Sequence, residues 1–143
     1  MARAMDGPTS AATDEGTRAA DGAVDGQPRA WLRIEGLAAL AAGTALYAWA
    51  GGSLLLLVPL LLLVDASMIG YLAGPRVGAA TYNAAHNWAI GLLALGAGFL
   101  LAAPVLVLAG AVLVGHVGMD RMFGYGLKYP TAFRDTHLGR IGR

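Results

Sequence analysis

Between Val77 and Met119 the chain runs for 43 residues without an Asp, Glu, Lys or Arg. As one α-helix that stretch would reach roughly 64 Å, about twice a bilayer's hydrocarbon core, so it must fold back on itself. A water-soluble domain built around it would have almost no polar surface. Composition points the same way. Only 13% of the 143 residues are charged, against about 25% in an ordinary soluble domain. Eight of the 19 formal charges fall in the first 29 residues. The formal net charge of +1 gives no reason to expect a nucleic-acid partner, and the lack of cysteine excludes disulfides and thiolate metal sites.

Residues 1–29 are rich in Ala, Gly, Asp and Thr, with few large apolar side chains. Such a segment cannot bury enough surface to offset its ordering entropy, and it reads as a solvated, disordered tail. It has no apolar run of the signal-peptide kind. Residues 30–143 read as one transmembrane domain. Four apolar runs, about 31–50, 54–73, 77–101 and 105–125, are separated by Gly51-Gly52-Ser53, Gly74-Pro75-Arg76 and Pro104. Each is near the ~20 residues needed to cross a bilayer. No alternating strand pattern is present, and lipid forbids unpaired backbone, so the spans are expected to be helices. Pro59 is a candidate bend in the second.

The expected fold is therefore all-α: a polytopic protein of the cell membrane with four transmembrane helices in an up-down bundle and the lipid bilayer as its partner. Arg29, Arg33, Arg76, Arg121, Lys128, Arg134, Arg140 and Arg143 cluster at the amino end, the second turn and the carboxyl end. All eight land on one side, which puts both termini in the cytoplasm. Trp31, Tyr71 and Tyr125 fall at the same boundary, where interfacial aromatic anchors sit.

Ionisable groups inside a span cost about 2.5–3.5 kcal/mol on insertion scales and usually face the bundle interior. Here they are Glu35, Asp65, His86, His116 and Asp120. Counting along the helices puts Asp65, His86 and His116 roughly 12–14 Å from the cytoplasmic boundary. Three spans thus bring a ligand-type side chain to one level. Asp120 and Glu35 lie nearer the boundary, at about 6–8 Å. His116 and Asp120, at i and i+4, share a helix face. Tyr82, Asn83, His86 and Asn87 form a polar stripe in which Asn83 either fixes the His86 ring or reaches another helix. Ser67 falls on a different face from Asp65.

Three readings compete for this cluster. It is a set of interhelical hydrogen bonds, a metal site, or a proton or cation relay in a carrier. In the metal reading Asp65, His86 and His116 hold a divalent ion such as zinc, leaving room for water. Asp120 or Glu35 then serves as general base or orients a ligand. Hydrolysis of a lipid or other membrane-soluble substrate would be the reaction. The carboxyl-terminal segment 126–143 is broken by Gly126, Pro130, Gly139 and Gly142. It either lies along anionic headgroups or folds back over the cluster, with His137 or Asp135 reaching a metal or phosphate. Small-residue stripes at Gly36, Ala39 and Gly43, at Ala94 and Gly98, and at Ala111 and Gly115 read as close helix contacts.

Several segments together carry a family resemblance. They are Leu32-Arg-Ile-Glu-Gly36, Asp65-Ala-Ser-Met-Ile-Gly-Tyr71, Gly74-Pro-Arg-Val-Gly78, Tyr82-Asn-Ala-Ala-His86, His116-Val-Gly-Met-Asp-Arg121, Gly124-Tyr-Gly-Leu-Lys-Tyr-Pro130 and Thr136-His-Leu-Gly139. Over residues 31–143 the chain resembles the domain of unknown function 4260 family of prokaryotic membrane proteins. That resemblance implies four membrane helices and no assigned activity. The Asp, His and His-x-x-x-Asp elements are also similar to those of intramembrane metal-dependent hydrolases such as the alkaline ceramidase superfamily, which have more helices and a fuller ligand set.

Overall fold

The computed structural model describes residues 22–142. Most of the tail expected over residues 1–29 lies outside them. The fold is all-α apart from a small ribbon near the carboxyl end. Helix α1 spans Gly26–Trp49, and α2 spans Leu54–Val64. A 3-10 segment, Asp65–Ala73, continues directly from α2. Helices α3 (Pro75–Ala85), α4 (Trp88–Leu100) and α5 (Pro104–Phe123) follow. The 3-10 segment prolongs α2 without a gap. Grouping it with α2, and grouping α3 with α4 across His86 and Asn87, gives four segments in chain order, termed rods.

Two of the four expected spans, Leu54–Ala73 and Pro104–Phe123, are continuous helices long and apolar enough to cross a membrane. The first rod carries Arg29, Arg33 and Glu35 in its opening turns and begins at Gly26, five residues before the expected start. The third departs further from expectation. The sequence predicts one helix over 77–101, but the helix stops at His86 and restarts at Trp88.

Asn87 holds that break together. Its Oδ1 accepts from the N–H groups of Ala89 (2.9 Å) and Ile90 (3.4 Å), an N-cap for α4. Its Nδ2 donates to the carbonyls of Asn83 (2.9 Å) and Ala84 (2.7 Å). In an unbroken helix those two carbonyls would have received the N–H groups of residues 87 and 88. One side chain therefore serves the backbone on both sides of the gap.

Helix α5 is the central element and packs against α1, α2 and α4. Small residues set its distance from α1. A methyl group placed on Gly43 would lie 2.7 Å from the Ala111 carbonyl oxygen and the Gly115 nitrogen, and one on Gly118 would lie 2.6 Å from the Leu40 nitrogen. The expected stripe on α1 thus meets α5 backbone to backbone. Beside this seam Tyr47, Leu57, Leu61, Ala111 and Val112 form the apolar core.

Gly124 ends α5 in the left-handed region, at φ +88°. The Tyr125 N–H reaches the Asp120 carbonyl at 2.7 Å, and the Gly124 N–H reaches that of Arg121 at 3.0 Å. This Schellman motif turns the chain back over the bundle. There β1 (Asp135–Thr136) pairs antiparallel with β2 (Gly139–Arg140), and Lys128 bridges to Thr136. Leu138, at the ribbon's tip, is fully buried. The Val24 N–H donates to the His137 carbonyl at 2.9 Å, tying the approach to α1 onto the ribbon.

Candidate metal centre

The α2–3-10 junction, the break in the third rod and the last turns of α5 meet at one point. They carry Asp65, His86 and His116 respectively, and ligand atoms of the three lie within 4.8 Å of one another. Both histidines are fully buried, whereas the Asp65 side chain is 38% exposed. His86 Nε2 stands 2.8 Å from His116 Nε2 and 3.3 Å from Asp65 Oδ1. His116 Nε2 is 3.6 Å from the same carboxylate oxygen. An ion holding N and O ligands at about 2.0–2.1 Å in a tetrahedron keeps neighbouring ligand atoms about 3.3 Å apart. The three distances bracket that value, so the residues fit a divalent ion of this kind.

Asp120 stands on the remaining side. Its Oδ2 is 3.8 Å from His86 Nε2, and its Oδ1 is 3.9 Å from His116 Nε2. Tyr82 donates its hydroxyl to Asp120 Oδ2 and stacks on the His86 ring, with centroids 3.6 Å apart. His86 Nδ1 lies 2.9 Å from the Tyr82 carbonyl, which can only accept. Nδ1 of a neutral His86 therefore carries the hydrogen, and Nε2 turns a lone pair toward the centre. His116 Nδ1 is buried without a hydrogen-bond partner among the described residues. The His116 ring depends on what its Nε2 meets.

Two carboxylates and two imidazole nitrogens thus converge at a point that is buried on the histidine side and open at Asp65. Among the described residues the Tyr82 hydroxyl donates to this cluster from outside it. A positive charge between the ligand atoms, as a shared proton or a cation, relieves the crowding.

The sequence model of the domain of unknown function 4260 family, described only as such, matches residues 29–141. The chain belongs to that family. No curated protein and no solved structure matches it.

In this family member the structure sorts the other candidate residues. Glu35, considered as a general base, is exposed on α1 and makes no hydrogen bond to the centre among the described residues. Neighbouring Arg33 instead ties α1 to the Met122 carbonyl of α5 at 2.8 Å. Counting along the helix gave Glu35 a depth, but its azimuth turns it away. His137, considered as a further ligand, accepts the Leu127 N–H on Nδ1 at 2.8 Å. Asp135 accepts from the Thr131 hydroxyl and pairs with Arg140 at 3.1 Å. Both side chains hold the ribbon together instead of reaching the centre. Asn83 does not fix the His86 ring. Its amide exchanges two hydrogen bonds with the Lys128 backbone, at 2.9 and 2.7 Å, and docks the carboxyl-terminal segment on α3.

Three contacts escaped the sequence reading. Ser67 Oγ lies 3.5 Å from His86 Nδ1, because the 3-10 segment winds more tightly than the assumed α-helix. Arg121 and Lys128, read as basic residues at the membrane boundary, are both buried. Arg121 donates to the carbonyls of Tyr125 (2.8 Å) and His86 (3.4 Å), so it also serves the broken third rod. A polar run followed by Trp88 could have suggested the break; nothing local marks the burial of Lys128.

Proposed function

We propose that this is a four-span protein of the cell membrane, with both termini cytoplasmic, that holds a divalent metal ion such as zinc on Asp65, His86 and His116. In the same reading it hydrolyses a lipid or another membrane-soluble substrate. The observation that carries it is the convergence of both His Nε2 atoms and two carboxylates at 2.8–3.9 Å, at a point buried on the histidine side. Membrane insertion is supported by the outward side of the rods. Leu55 and Leu72 on the second rod and Leu100 on the third are 87–88% exposed. Aliphatic side chains left bare in this number suit lipid better than water. The first and third rods would cross as members of the bundle, the break in the third being lined by protein groups that satisfy its backbone.

The ion would supply Lewis acidity, polarising a carbonyl and lowering the pKa of water. The chain's own part is positional. Tyr82 holds His86 through stacking and through its carbonyl, and holds Asp120 through its hydroxyl. Asp120 is the carboxylate suited to accept a proton, or to complete the ligand set. The half-exposed Asp65 faces a cavity that also admits Asp120, giving a substrate a route to the centre.

Metal analysis of protein purified without chelator, compared with His86→Ala and His116→Ala, tests the reading. One equivalent of metal in the wild type, lost in both variants, is the expected result. A wild type that stays empty after incubation with zinc would sink it. The broken third rod favours one other reading, a proton- or cation-coupled carrier, since transporters build midplane sites at such breaks. Proton flux into liposomes that Asp65→Asn abolishes, in protein without metal, would establish the carrier instead.

A further inference from the structure

The cavity beside the metal centre has a volume of about 700 Å³, within the usual range of small-molecule sites. The second rod, α3, α5 and the carboxyl-terminal segment line it, and it is open on one side. Most of its wall is apolar, with Leu62, Met119 and Phe123 among the lining residues. Its polar lining residues are few: Asp65 and Asp120 from the centre, Tyr82, Tyr125 and Lys128.

Lys128 is the anomaly. It is only 5% exposed, yet it forms no ion pair with a carboxylate among the described residues. Its Nζ donates to the Phe133 carbonyl at 2.9 Å and lies over the rings of Phe133 (4.2 Å) and Tyr82 (5.0 Å). An ammonium carries three N–H donors, so two remain beyond that carbonyl. A buried cation with no carboxylate in direct contact is costly, and an anion meeting its two free N–H donors in the cavity would relieve it. Burial lowers the Lys128 pKa, while the charges of Asp120 and Asp65 oppose that shift.

We propose that this cavity binds a membrane amphiphile carrying an anionic headgroup, and that Lys128 recognises the anion while the apolar wall takes the chain. Lys128 Nζ lies 5.0 Å from the centroid of the Tyr82 ring, and the same ring stacks on His86. An anion paired with Lys128 therefore sits beside a side chain that also supports a metal ligand. A bond close to the headgroup, not one far along the chain, would be offered to the centre. That last point rests on the hydrolase reading; binding and its selectivity do not.

The test measures binding to purified full-length protein by calorimetry with three probes: dodecyl phosphate, dodecanol and inorganic phosphate. Wild-type protein is expected to bind dodecyl phosphate at least tenfold more tightly than dodecanol, and inorganic phosphate at least a hundredfold more weakly than dodecyl phosphate. Lys128→Gln should reduce the preference over dodecanol to less than threefold with dodecanol affinity unchanged. Lys128→Arg, which keeps the charge, should retain most of it and guards against simple misfolding. Equal affinity for dodecanol and dodecyl phosphate, or an unchanged preference in Lys128→Gln, would overturn the proposal. Inorganic phosphate binding as tightly as dodecyl phosphate would remove the amphiphile. Repeating the series in His116→Ala separates the two readings: the Lys128-dependent preference should survive there even if no metal is ever found.

Discussion

Replacing Asn87 by Ala tests whether the break in the third rod is built or incidental. The substitution removes one acceptor and one amide donor pair. It strands the Ala89 and Ile90 N–H groups on one side and the Asn83 and Ala84 carbonyls on the other. The 3.4 Å contact to Ile90 is long, so three bonds of 2.7–2.9 Å carry most of the effect. At ~1 kcal/mol net for each in a folded protein, and somewhat less between groups in a membrane, the loss comes to about 2–3 kcal/mol. His86 immediately precedes Asn87, and its carbonyl and ring both depend on the local backbone. Disturbing the support of a metal ligand typically costs 10–100-fold in metal affinity, and the same is expected here. Asn87→Ser keeps an N-cap acceptor without the amide donors and should recover about 1 kcal/mol. Reversible unfolding in mixed detergent, followed by the fluorescence of neighbouring Trp88 and paired with a competitive zinc titration, measures both quantities. If Asn87→Ala unfolds within about 0.5 kcal/mol of the wild type and binds zinc as tightly, the side chain does not hold the break and the reasoning fails.

Two further predictions address the frame and the ribbon. Gly43→Ala should destabilise the bundle by about 1–3 kcal/mol, since the new methyl group meets α5 backbone that can yield only by separating the helices. Gly96→Ala, where a methyl group meets nothing within 4 Å, should be neutral or stabilising by up to ~1 kcal/mol in the same assay. The His137 pKa is lowered, first by burial and then by the charge of Arg121. Its ring must be neutral at Nδ1 to accept the Leu127 N–H. The folded state therefore binds fewer protons than the unfolded one. His137 contributes its stability above the ordinary histidine pKa of about 6.5, and loses it as pH falls from there toward the lowered folded value. Hydrogen exchange at the Leu127 amide should accelerate over that window in the wild type and show no such step in His137→Asn; a flat wild-type profile would contradict the assignment.

Much of the frame was legible in the chain itself. Apolar runs, the Gly51-Gly52-Ser53 and Gly74-Pro75 turns and Pro104 gave helix limits within a few residues, because such signals are local. Counting residues along those helices also found the common level of Asp65, His86 and His116, since rise per residue is nearly constant. Local counting has a limit, though: it gives height along a rod and assumes its winding. Glu35 had a suitable height and the wrong azimuth. An α-helical angle would turn Ser67 away from Asp65, but the 3-10 segment does not keep that angle.

What the sequence determined by itself was the helical character of the chain, the turns between rods and the common level of Asp65, His86 and His116 along them. These are consequences of hydropathy and a nearly fixed helical rise, which did not show the break inside the third rod. Tertiary structure alone decided which faces met. The glycine seam between α1 and α5 orients α5, the break at His86 is stabilised by Asn87 and by Arg121 from another rod, and the returning carboxyl-terminal segment buries Lys128 beside the centre. Apart from the local bonds of Asn87, those outcomes depend on contacts between residues far apart in the chain, such as Arg121 with His86 and Asn83 with Lys128. There packing and the satisfaction of buried polar groups, not any local propensity, set the lowest free energy.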